Sequence, residues 1–140
     1  MKDALNNVKS RYPNAHVWSF GDSAEMADEL AQLVIAGHKK ASCGSLAAWQ
    51  QEEEKVSPGD YHIVLDGQQK PVCVIRTTSL KLIRFDEVSA EDAAMEGEGD
   101  KSLGYWRQSH QAFFEREGTF SDDMELIFET FSLVDVSEEM

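Results

Sequence analysis

The chain has 140 residues, one domain's length by the usual size prior, and enough chain for a full core without a disulfide or metal staple. With 41% hydrophobic and 28% charged residues its composition is that of a globular protein, not a disordered one. A net charge of −13 argues against a general duplex-DNA binder, because such affinity comes from neutralising phosphates.

No apolar run approaches the ~20 residues of a membrane span, and the first residues lack an apolar signal core. The expectation is a cytoplasmic protein with no membrane partner. Cys43 and Cys73 form no CxxC pair and read as buried, reduced thiols. The charge is uneven. Residues 38–84 carry seven basic and five acidic side chains, whereas residues 115–140 carry one basic and nine acidic. Two readings fit: ordinary scatter ending in a solvating acidic tail, or a small anion-attracting cleft confined by acidic surroundings.

In chain order, residues 2–10 suit a short helix ended before Pro13, and His16 to Phe20 a short strand or extended lead-in. Residues 23–36 are the clearest helix. Asp22 suits its N-cap, Glu25 lies at capping-box spacing, and Met26, Leu30, Leu33 and Val34 repeat on one face. Gly37 follows, where a left-handed cap is usual. The chain then turns sharply through 38–45. Residues 46–55 read as a helix with an acidic outer face, and Ser57-Pro58-Gly59-Asp60 as a turn. Tyr61 to Leu65 predicts a strand, Asp66-Gly67 a hairpin turn, and Val72 to Phe85 a long strand with a bulge or kink at Thr78-Ser79. Residues 89–95 start a helix that Glu96-Gly97-Glu98-Gly99-Asp100 breaks. Residues 102–117 form another, and Leu126 to Val136 alternates as a closing strand. Strand–helix alternation is missing, so a doubly wound sheet is excluded in favour of an α+β fold: a small, mostly antiparallel β-barrel with surrounding helices.

The segment Ala36-Gly37-His38-Lys39-Lys40-Ala41-Ser42 resembles the Gly-x-Lys-x-x-Thr/Ser signature of ASCH domains, which have a PUA-like barrel. The similarity continues through Pro58-Gly59-Asp60-Tyr61, residues 71–78, Phe85-Asp86-Glu87-Val88, residues 96–103, Tyr105-Trp106-Arg107 and residues 110–114. It is closest to a longer bacterial branch carrying the EGEGD motif. The resemblance divides the chain into an N-terminal helix and lead-in (1–19), one ASCH domain (20–136) and an acidic tail (137–140). It implies RNA binding or RNA modification, including an amidohydrolase acting on N4-acetylcytidine and a metal-dependent ribonuclease acting on single-stranded RNA. The expected partners are therefore single-stranded RNA or a nucleotide or nucleoside, with a hydrolase cleft; the alternative is a non-catalytic RNA- or nucleotide-binding module or a small-ligand sensor. Oligomeric state is not legible.

On this reading Lys39, Ser42 and Glu96 are the catalytic candidates. A neutral Lys39, its pKa lowered by burial or by Lys40 and Arg76, would take the proton of Ser42, and Glu96 would orient it or shuttle a proton; the alternative is a partly exposed Lys39–Glu96 ion pair with Ser42 capping a strand. Ser42 stands where the family usually has Thr. Glu96, Glu98 and Asp100 alternate with glycine and suit Mg²⁺ or Mn²⁺, with Glu98 and Asp100 as the proposed ligands; the alternative is an acidic loop capping the next helix. Lys40, Arg76, Tyr105 and Arg107 are the ligand-binding candidates, with Trp49, Tyr105 and Trp106 as possible base-stacking rings. His110 reads as a hydrogen-bonded core histidine.

Overall fold

The computed structural model describes residues 2–21 and 23–136. In chain order its elements are α1 (Lys2–Arg11), β1 (His16–Ser19), α2 (Ala24–Ile35), β2 (Ala41–Ser45), α3 (Leu46–Gln51), β3 (Tyr61–Leu65), β4 (Pro71–Arg84), a 3₁₀ turn (Phe85–Glu87), α4 (Ala90–Glu96), α5 (Leu103–Glu117) and β5 (Glu125–Val136). The strands form one sheet in the order β1-β3-β4-β5-β2. The β1–β3 pair is parallel and the other pairs are antiparallel. This is the expected α+β architecture, a curled half-barrel flanked by helices.

Curling has a local cause. β4 is 14 residues long, and its register with β5 shifts at Val74/Ile75 and again at Thr77/Ser79. Each irregularity bends and twists the strand. The first half of β4 therefore pairs with β3, while the second half travels with β5 toward β2. Thr78 falls within the second shift, as its sequence context suggested.

Strand parity sorts the side chains into two faces. One face carries Val64, Cys73, Ile75 and Phe131, which pack with Leu30, Ala31 and Val34 of α2. The other carries Ile63, Leu65 and Val74 against Val8 of α1. Further along that second face, α4 and α5 cover Leu126 with Trp106, Phe114 and Ala93. Phe114 and Leu126 are fully buried, and side chains of that size contribute ~1.5–3 kcal/mol each when removed from water.

Four helices open on a serine, each hydroxyl accepting a backbone N–H of the first turn: Ser23 from Met26, Ser45 from Ala48, Ser89 from Asp92 and Ser102 from Tyr105. The cap of α2 is thus Ser23; Asp22 lies outside the described residues, as does the 137–140 tail. α3 stops at Gln51, short of the expected 55, because Glu52, Glu53 and Glu54 would pile negative charge on the negative end of the helix dipole. In the β3–β4 hairpin the left-handed residue is Gln69, not Gly67. Gly67 is needed for another reason: a Cβ there would run into the Ala24 carbonyl of α2. β2 was not foreseen as a strand.

Candidate functional site: two cavities on either side of an edge strand

The larger cavity, about 860 Å³, lies on the face of the sheet that carries His62 and is walled by both edge strands. Trp18 of β1, Ser42 of β2, Glu129 of β5 and Trp49 of α3 line it. A chain of buried hydrogen bonds runs beneath. Trp18 Nε1–H donates to His62 Nδ1 at 2.8 Å. An indole nitrogen only donates, so His62 carries its proton on Nε2 and passes it toward Thr77 Oγ1, 2.8 Å away. The Thr77 hydroxyl in turn donates to Glu129 Oε2 in a short bond.

Burial, reinforced by the neighbouring His16, pushes His62 down to about 4. His62 is therefore neutral near pH 7, and its 3.4 Å approach to Glu129 is not an ion pair. Burial also pushes the Glu129 carboxyl up, outweighing the Thr77 hydrogen bond that favours its charged form. Among the described residues, Trp49 Nε1 is the buried side-chain nitrogen or oxygen without a partner. Its ring is overlain by the Lys55 ammonium at 5.5 Å. Among the described residues no lysine or arginine lines this cavity, and Glu52, Glu53 and Glu54 do.

The smaller cavity, about 110 Å³, is bordered by Lys39, Cys43, Glu96, Glu98 and His110. Gly97 builds it. Its φ of 72° ends α4 in a left-handed cap, and its missing Cβ lets the chain lie against the His38 carbonyl. That approach, with the Lys40 N–H donating to Met95 O at 2.7 Å, sets Glu96 and Glu98 over Lys39. Lys39 Nζ is 2.7 Å from Glu98 Oε2, 3.4 Å from Glu96 Oε1 and 3.3 Å from the Glu96 carbonyl. Glu96 also accepts from Trp106 Nε1–H at 2.7 Å and lies 3.3 Å from His110 Nε2. Burial opposes charge on Lys39, but the two carboxylates overcome it and raise its pKa. Burial likewise opposes charge on Glu96, and Lys39, His110 and Trp106 overcome it and lower its pKa.

These facts correct the expected general base. Lys39 is an ammonium held by two carboxylates, not a neutral amine. Lys40 is exposed, and Arg76 lies elsewhere, its Nε donating to Gly59 O at 3.2 Å and its guanidinium over the Tyr61 ring at 5.1 Å. Ser42 borders both cavities, but parity separates its side chain from the pair. Cys43 is the residue whose side chain bonds Glu96, so Ser42 points to the opposite face of β2, the face of its register partner Glu129.

Glu98 and Asp100 do not converge on a common point either. Glu98 is committed to Lys39, and the Asp100 carboxylate accepts the Ser102 N–H at 2.9 Å at the entry to α5. The expected Mg²⁺ or Mn²⁺ pair is thus an ion-pair partner and a turn residue. Tyr105 is exposed with its ring over Gly99, and Arg107 is exposed; neither lines either cavity. The expected basic cleft is replaced by an acidic cavity and a neutralised one. Trp18, His62, Thr77 and Glu129 were missed, although a polar residue on the buried face of a strand was the available signal.

An ASCH domain family model matches residues 16–135. The chain belongs to the ASCH domain family. Protein EF3133 from Enterococcus faecalis V583 is similar at 36% identity and TM-score 0.85, over 99% of this chain and 90% of that one. An ASCH domain from Lactobacillus crispatus JV V101 is similar at 33% identity and TM-score 0.82, over 96% and 91%. A hypothetical protein, PH0355, shares the fold at 18% identity and TM-score 0.59, over 84% and 99%. None of the curated proteins matches the chain.

Proposed function

We propose that this ASCH domain is a binding module for a nucleoside, or for a single base of a short single-stranded RNA, seated in the larger cavity. RNA recognition is what membership of the ASCH family implies. The observation that supports this pocket is its chemistry: the indole-bearing residues Trp18 and Trp49 and a hydrogen-bonded carboxyl on Glu129 line about 860 Å³ of space. Base-sized ligands are held by aromatic faces and a few placed polar groups. The absence of lining cations separates nucleosides from nucleotides, since a phosphate entering between Glu129 and the 52–54 glutamates would meet like charge.

Hydrolysis by Lys39, Ser42 and Glu96 is the weaker reading, because the ammonium and the hydroxyl face different cavities. The test is calorimetry with cytidine, N4-acetylcytidine, cytidine monophosphate and cytidine triphosphate. Mass spectrometry of the recovered ligand completes it. The expected order is nucleoside over monophosphate over triphosphate, with the ligand returned unchanged. Trp49→Ala should weaken binding about tenfold, the scale of one lost base-stacking ring. Tighter binding of the triphosphate, or an unaffected Trp49→Ala, would overturn the proposal. Release of cytidine from N4-acetylcytidine by the wild type and not by Lys39→Ala would restore the hydrolase reading.

A further inference from the structure

We propose that Cys43, Glu96 and His110 form a binding site for a zinc-class divalent ion at the base of the smaller cavity. The Cys43 sulfur, a Glu96 carboxylate oxygen and a His110 ring nitrogen all lie within 4.8 Å of one another. They come from three elements, β2, the end of α4 and α5, so the convergence is tertiary and not a by-product of sequence proximity.

Trp106 organises two of the three from outside. Its carbonyl engages His110 Nδ1 at 2.9 Å, which leaves Nε2 facing Glu96 at 3.3 Å. Its indole N–H holds Glu96 Oε2 at 2.7 Å, which leaves Oε1 turned toward His110. Fixing the second ring nitrogen and the second carboxylate oxygen is what outer-shell residues do at metal centres. The adjoining cavity of about 110 Å³ has room for a water as fourth ligand.

The donor set selects the ion. One sulfur, one imidazole and one carboxylate suit Zn²⁺ or Co²⁺, whereas Mg²⁺ and Mn²⁺ prefer sets made of oxygen. Ligand atoms around a tetrahedral zinc stand ~3.3–3.8 Å apart, so loading draws this trio together by about 1 Å. Lys39, 3.4 Å from Glu96 Oε1, must release that oxygen. It keeps Glu98 at 2.7 Å, so it loses one of two carboxylate partners and not both. On binding, the Cys43 S–H bond and the His110 Nε2–H bond that faces Glu96 break, sulfur–metal and nitrogen–metal bonds form and both protons pass to solvent; no electron is transferred.

The experiment is titration of the chelator-stripped full chain with Co²⁺ and then Zn²⁺, followed by absorption. Peptide-level alkylation of the two cysteines is the second readout. The expected result is a sulfur-to-cobalt charge-transfer band saturating at one equivalent and bleached by Zn²⁺. Zn²⁺ should slow alkylation of Cys43 at least tenfold and leave Cys73 unaffected. Cys43→Ser should lose the band and weaken Co²⁺ binding at least tenfold, while Cys73→Ser keeps both. If Cys43→Ser does not fold, alkylation of the wild-type chain decides alone. No charge-transfer band at one equivalent, or Cys43 alkylation unchanged by Zn²⁺, overturns the site. Nucleoside affinity enters neither readout, so this inference and the proposed function fail independently.

Discussion

Lys39→Met on the metal-free chain tests how the smaller cavity is built. The substitution keeps an unbranched side chain one atom shorter and removes its charge. The Lys39 and Glu96 side chains are each 1% exposed, so the carboxylate left behind has no water to turn to. Removing one member of a buried ion pair costs ~3–5 kcal/mol, most of it the uncompensated charge. Two features place this case at the lower end. Glu96 keeps the Trp106 N–H and the His110 contact, and Glu98, 17% exposed at its side chain, can rotate toward solvent. The expected loss is ~3 kcal/mol, or about 10 °C in Tm for a chain of this length.

The pH dependence separates this mechanism from simple loss of packing. Glu96 has a folded pKa of about 2 against 4.5 for the free group. A carboxyl depressed on folding stabilises the native state above its unfolded value and stops doing so as pH falls toward its folded one. Without Lys39 the carboxyl is released upward, so the variant protonates earlier and recovers ground in acid. Urea unfolding of both proteins should show the widest gap at pH 7 and a clearly narrower one at pH 4. A gap under ~1 kcal/mol, the scale of an exposed pair, would refute the reasoning. So would a gap that stays constant from pH 7 to pH 4.

Three further outcomes follow from His62, His110 and Gly97. His62 titrates at about 4 in the fold against 6.5 when free, so the unfolded chain takes its proton first and stability falls as pH drops from 6.5 toward 4. The contribution is about 3 kcal/mol. His110 acts in a different window: its pKa is raised, so its stabilisation is complete below 6.5 and is lost as pH rises through the folded value. Side-chain NMR should find His62 neutral with its proton on Nε2 down to pH 5; a His62 midpoint near 6.5 would contradict the hydrogen-bond chain. Gly97→Ala should cost at least ~3 kcal/mol in chemical denaturation, combining a left-handed backbone with a clash on the His38 carbonyl. A loss below 1 kcal/mol would mean that the α4 cap does not rest on the loop as described.

Elements that carry their own periodicity were legible. α2 repeats its apolar face, β4 is rich in β-branched residues, and α5 opens on Ser102 and closes at Gly118. β2 was illegible because Ala-Ser-Cys-Gly-Ser has little strand preference of its own. It exists through the ladder that β5 offers, with Cys43 opposite Phe128 and Ser45 opposite Leu126. The candidate site divides in the same way. Lys39 and Glu96 are 57 positions apart with no local signal joining them, and the family resemblance was what brought them together. The charge of Lys39 could not be read from the sequence, because it depends on whether the nearest buried groups are cations or carboxylates. Thr77 and Glu129 looked like ordinary strand residues until the sheet curled and set them under one cavity.

The decisive detail for chemistry is the parity of one strand. With Cys43 on the Glu96 side, Ser42 must face Glu129. A one-residue slip of β2 would exchange them and put the hydroxyl beside Lys39. An edge strand of small residues is where such a slip would cost least, so what pins the register matters. At its start, the chain leading into β2 is fixed by the buried Lys39 contacts and by the Lys40 N–H on Met95 O. At its end, Ser45 donates to Glu117 Oε1 at 2.9 Å and caps α3 through the Ala48 N–H. A slip would turn Ser45 to the other face, breaking its Glu117 bond and the α3 cap together, and would move Lys39 off two carboxylates. The register is therefore held by buried polar groups at each end and not by side-chain bulk between them. A hydroxyl nucleophile at position 42 would require those anchors to break first.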